Sequence, residues 1–96
     1  MTSPAPALAD DAVPKLPRGV RLSYDEARQR WLLLAPERLY ELNDVALAVL
    51  KLVDGRRSLA AIAGELAQTY NADAAVILAD AKELVHGLAQ KRLIEA

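Results

Sequence analysis

Arg38-Leu39-Tyr40-Glu41-Leu42-Asn43-Asp44-Val45-Ala46-Leu47-Ala48-Val49-Leu50-Lys51-Leu52-Val53-Asp54-Gly55 is the stretch in which the chain changes its repeat. Through Leu42, apolar and polar residues alternate as on a strand with one covered face. Beyond it, Ala46, Val49, Leu50 and Val53 fall on one side of a helix. Asn43 suits an N-cap, and Asp44 is placed to favour the positive end of the helix. Gly55 is expected to supply the left-handed stop.

Working back from this switch, Val20, Leu22 and Tyr24 alternate with Arg21 and Ser23, which predicts a strand with an apolar face. Asp25 to Gln29 is polar and of hairpin-loop length. Trp31-Leu32-Leu33-Leu34 is apolar on both faces, as for a strand covered on both sides or an edge that receives a partner. Pro36 forces a turn into a third strand from Arg38 to Leu42. Working forward, Ser58 caps a second helix with Leu59, Ile62, Ala63, Leu66 and Tyr70 on its core side. Asp73 caps a third, carrying Ile77, Ala81, Leu84, Val85 and Leu88, and Leu93-Ile94 closes the chain. Three short antiparallel strands followed by three helices make an α+β domain, winged helix-turn-helix-like in its order. Residues 1–16, rich in Ala and Pro without an apolar period, are expected to be a disordered tail, leaving 17–96 as the domain.

Composition narrows the function. Ninety-six residues form one domain, and twelve basic residues face thirteen acidic ones. The signs do not segregate: residues 1–42 carry six of each, 43–71 three of each, and 72–96 three basic against four acidic. Nucleic acid is therefore not an expected partner. The absence of cysteine excludes disulfides, thiolate metal sites and a cysteine nucleophile. The N-terminus has neither a basic start nor an apolar run of signal-peptide length, and no apolar stretch approaches a membrane span, so no membrane partner is expected and the cytoplasm is the default location.

Candidate sites are few. His86 is the only histidine, and no Ser or Thr is placed as its nucleophile. Asp80, Glu83 and His86 stand three residues apart, a spacing that drifts around a helix instead of converging on a metal. They read as a solvated face. Arg56-Arg57 suit a solvated turn or a carboxylate contact, and Trp31 suits sheet packing or ligand stacking. The glycines are too scattered for a phosphate loop. The chain is expected not to be an enzyme, and to need neither metal nor cofactor. A three-stranded sheet still leaves edges with unpaired main-chain groups, to which a peptide can add as a further strand.

The order Arg18-Gly19-Val20-Arg21-Leu22, Pro36-Glu37, Leu42-Asn43, Leu52-Val53-Asp54-Gly55-Arg56-Arg57, then Ile62-Ala63, Leu66, Asp80, Leu84, Leu88 and Arg92-Leu93-Ile94 resembles the pyrroloquinoline quinone (PQQ) biosynthesis protein D family, PqqD. The match covers about Pro17 to Ile94; Asp44-Val45 stands where relatives often have threonine and alanine. The resemblance implies a RiPP recognition element, a reader of ribosomally made precursor peptides. Such a domain takes the leader of a PqqA-like precursor as a strand beside its third strand and presents it to a PqqE-like radical S-adenosylmethionine enzyme. Carried onto this chain, the peptide-binding strand is Arg38, Leu39, Tyr40, Glu41 and Leu42. The wall of the groove is Leu78, Lys82, Val85, His86 and Ala89 on the third helix. Two other readings stay open: a DNA-binding winged-helix regulator, and a module that self-pairs into a homodimer through its exposed strand edge.

Overall fold

The computed structural model describes residues 8–96. Three antiparallel strands, β1 (Arg21–Asp25), β2 (Arg30–Ala35) and β3 (Arg38–Glu41), are followed by α1 (Asp44–Lys51), α2 (Leu59–Tyr70) and α3 (Ala74–Gln90). The sheet order is β1-β2-β3. β2 is the central strand, which explains why its run is apolar on both faces: Leu32 and Leu33 are both buried. Odd-numbered residues of β2 face the helices. Leu33, fully buried, packs with Val49, Leu50, Leu59, Ile62, Val85 and Leu93 in one core, and each such side chain contributes roughly 1.5–3 kcal/mol by leaving water.

All three expected N-caps form. Asn43, Ser58 and Asp73 accept the backbone N–H of Ala46, Ala61 and Ala75 respectively. α1 ends earlier than its periodicity suggests, with Leu52 as its C-cap. Gly55 serves the turn beyond, at φ 77° and close against the Lys15 side chain. That turn is held by Asp54, whose carboxylate accepts the N–H groups of Arg56 and Arg57 at 2.9 Å each. These two bonds hold its pKa below the ordinary aspartate value. Arg57 reaches Glu65 at 3.0 Å, so half of the basic pair is committed to a surface ion pair.

Two expected faces shift. Tyr24 and Tyr70, expected on apolar faces, are 45% and 63% exposed. Tyr24 lies at the far end of the sheet and leans on Trp31, the ring centroids 5.4 Å apart. Trp31 itself packs on the sheet, with the Lys51 ammonium 4.9 Å from its ring centre. Tyr70 ends α2 at the mouth of a surface depression.

The expected tail at 1–16 is corrected over its second half; residues 1–7 of that expectation lie outside the described residues. Pro14 is fully buried, and Leu8, Ala12 and Leu16 pack against the core. Lys15 and Glu95 exchange backbone bonds of 2.7 and 2.8 Å, tying this segment to the other end of the chain. Ala12 and Asp10 accept, through their carbonyls, the N–H groups of Leu59 and Ala60 at 2.8 and 2.9 Å. With Ser58 taking the Ala61 N–H, three donors that the first turn of α2 leaves unpaired are all satisfied. The Ala/Pro segment thus docks through main-chain bonds together with a few spaced apolar side chains, too few to show as a periodic face.

Candidate functional site

β3 has a partner on one side only. Its phase follows from the register. Leu42 donates its N–H to the Trp31 carbonyl at 3.2 Å, one step beyond the pair Leu32–Glu41. Bonded and non-bonded pairs alternate in an antiparallel ladder. Leu33–Tyr40 and Ala35–Arg38 are therefore bonded pairs, and Leu32–Glu41 and Leu34–Leu39 are not. The main-chain groups of Arg38, Tyr40 and Leu42 point into the sheet. Those of Leu39 and Glu41 point out of it and form a free edge. Side chains follow a separate alternation: Tyr40 and Leu42 pack toward the core, while Leu39 is 54% exposed and Glu41 pairs with Arg30 at 2.6 Å.

α3 approaches this edge from the core side. Its C-cap residue Lys91 holds its ammonium 5.3 Å from the centre of the Tyr40 ring, and Arg38 donates to the Lys91 carbonyl at 3.4 Å. The end of α3 can close this way because Arg92 takes a left-handed conformation at φ 60°. Arg92 then donates to the Ala89 carbonyl at 3.0 Å and Leu93 to the Leu88 carbonyl at 2.9 Å, a Schellman closure that sinks Leu93 into the core. Farther along, Asn43, Val45 and Ala46 face Asp80, Glu83 and Leu84 across a depression of about 290 Å³. A second, more apolar depression of about 250 Å³ lies beyond it, between Val45, Ala48, Leu66, Tyr70 and Ile77.

The strand half of the expected site, Arg38 to Leu42, is assembled as an outer strand and its continuation. The expected helical wall is not. Val85 is fully buried in the core, Leu78 and Ala89 pack against it, and Lys82 forms an ion pair with Asp10 of the docked N-terminal segment. His86 is half-buried on the same side. At 3.6 residues per turn, these positions lie roughly half a turn from the side of α3 that carries Asp80 and Leu84 toward α1 and Lys91 toward β3. The α3 residues that line the depression are thus Asp80, Glu83 and Leu84, and Lys91 is the one that meets β3. The signal for them was present in the spacing of Leu84 and Lys91 beside Asp80, but which stripe meets the strand depends on how α3 is rotated in the packed domain. Among the described residues no three His, Asp or Glu side chains converge as metal ligands.

The model of the family described as coenzyme PQQ synthesis protein D (PqqD) matches residues 30–94. The bifunctional coenzyme PQQ synthesis protein C/D of Methylorubrum extorquens is 54% identical over 94 residues, which is 98% of this chain but 25% of that protein. The chain thus spans about a quarter of that bifunctional relative. The PqqA binding protein of Xanthomonas euvesicatoria is 58% identical over 81 residues, 84% of this chain and 88% of the relative. Among solved structures, the solution NMR structure of the PqqD truncation of Methylobacterium extorquens PqqCD, described as a functional, stand-alone RiPP recognition element, superposes with a TM-score of 0.83 at 56% identity, covering 94% of this chain and 96% of that one. The crystal structure of PqqD from Xanthomonas campestris matches with a TM-score of 0.60 at 49% identity, covering 93% and 99%.

Proposed function

The chain belongs to the coenzyme PQQ synthesis protein D (PqqD) family, and on that premise we propose that it binds the leader of the precursor peptide PqqA as a fourth strand on the free edge of β3. The observation that carries this reading is the outward main chain of Leu39 and Glu41, with a depression between Asn43, Val45 and α3 just past the end of the strand. Strand addition draws affinity from such unpaired N–H and C=O groups and specificity from adjoining side-chain pockets. Similarity to proteins named as PqqA binding proteins, and to a domain described as a RiPP recognition element, supports the same role.

The finer reading is a non-catalytic presenter. The protein holds PqqA for a PqqE-like radical S-adenosylmethionine enzyme, which supplies the chemistry, and it works in the cytoplasm where ribosomal precursors arise. No helix among the described residues is long and apolar enough to cross a membrane. The edge that takes the peptide can also pair with a second copy of the chain, so a homodimer and the peptide complex compete for Leu39 and Glu41.

The test is a titration with synthetic PqqA leader peptide, followed by calorimetry and by amide shifts, with sizing run in parallel. Saturable binding that shifts Leu39 and Glu41, and that dissolves any homodimer, is expected. Saturable binding with those two amides unmoved would place the peptide elsewhere.

A further inference from the structure

Past the end of β3 the groove does not stop. The depression beside Asn43, two residues past Glu41, adjoins the apolar one at Val45 and Asp80, and the pair make a channel between α1 and α3 with those two side chains at its waist. Its inner part is lined by Val45, Ala48, Leu66, Tyr70 and Ile77, and Val45 and Tyr70 are 58% and 63% exposed. Large apolar side chains gathered around a concave surface mark a contact site. The rim carries Asp44, Asp80 and Glu83, none of which has an ion-pair partner among the described residues. At the opposite end of the edge, Arg38 and Lys91, with Arg92 next in sequence, outnumber Glu37 and give the reverse sign. The domain's overall charge is close to zero, yet along this line it is divided.

We propose that the peptide added to β3 continues past Glu41 into this channel, seating an apolar side chain among Val45, Tyr70 and Ile77 and a Lys or Arg side chain against Asp44 and Asp80. This rests on the strand-addition reading and extends it to the segment flanking the added strand. The divided charge then sets direction: the cationic flank lies over the α1 end and an anionic flank over Lys91, and the reverse threading places like charges together. The channel supplies a side-chain readout that main-chain bonding along β3 lacks.

The test uses synthetic PqqA leader peptide with four proteins: the parent, Val45→Asp, the double variant Asp44→Asn/Asp80→Asn, and Glu41→Pro. Val45, Asp44 and Asp80 are exposed, and melting curves check that each variant is folded. Val45→Asp is expected to weaken binding by about tenfold, and the double variant by roughly threefold or more with a shallower salt dependence, as two exposed charge contacts allow. In the parent, the amides of Tyr70 and Ile77 shift on titration. If both channel variants bind within about twofold of the parent, inside ordinary surface variation, while Glu41→Pro still loses binding, the strand reading stands and the channel proposal falls. If Glu41→Pro also binds like the parent, the strand reading falls and takes the channel proposal with it.

Discussion

Leu42 gives its backbone N–H to the carbonyl of Trp31, and that one bond sets the phase of the whole β2–β3 ladder. Because bonded pairs alternate, it decides that Tyr40 is bound inward and Glu41 is free outward. Two neighbouring residues on one short strand thereby differ in kind, one bonded within the sheet and the other left free at its edge.

Proline substitution should separate them. Glu41→Pro removes an N–H that has no partner within the sheet, so the domain should keep its circular dichroism and melting behaviour. Its affinity for PqqA leader peptide should fall roughly tenfold or more. Tyr40→Pro breaks the bond to Leu33 and deletes a side chain packed against the core, and it should cost about 3 kcal/mol of stability. A folded Tyr40→Pro that has lost binding, beside a Glu41→Pro that has not, would reverse the assigned phase.

Truncation should be costly between Leu8 and Leu16. Deleting residues 1–16 removes the acceptors of Leu59 and Ala60, the paired bonds between Lys15 and Glu95, and buried Pro14. At about 1 kcal/mol for each main-chain bond, a loss of at least ~2 kcal/mol in denaturant unfolding is expected. An unchanged midpoint would show that this segment does not dock in solution.

Arg92 stands in the left-handed region, where a side chain is disfavoured and glycine is not. Arg92→Gly should stabilise the domain by roughly 0.5–1 kcal/mol, the left-handed penalty being partly offset by the freer unfolded chain. A lower melting temperature would mean that the Arg92 side chain makes a stabilising contact outweighing the strain.

Asp54 gives the fold an acid sensitivity of definite sign. Its pKa is lowered in the folded state, chiefly by the N–H groups of Arg57 and Arg56. Its contribution is therefore complete above the unfolded-state value and disappears as pH falls through the lower folded one. Asp54→Asn keeps an acceptor but no charge. The parent should melt above this variant at neutral pH, and the gap should close on acidification. A gap independent of pH would assign the turn's stability to geometry and none of it to charge.

The sequence by itself determined the element order and every helix N-cap, since alternation, the 3.6-residue repeat and the short polar side chains of Asn43, Ser58 and Asp73 act within a few residues of themselves. It also carried the family, through motifs spread in order from Arg18 to Ile94. Three things were decided only when the chain packed. The free side of β3 depends on its pairing with β2, because alternation shows where side chains point and leaves open which N–H groups are taken. The side of α3 turned toward α1 and β3 depends on how Ala81 and Val85 rotate that helix onto the core, which leaves Asp80 and Leu84 toward α1 and Lys91 toward β3. The docking of residues 8–16 depends on acceptors meeting the unpaired donors of α2 and the main chain of Glu95. Main-chain hydrogen bonds between distant segments carry no side-chain signature, so no reading of residue types alone reveals them.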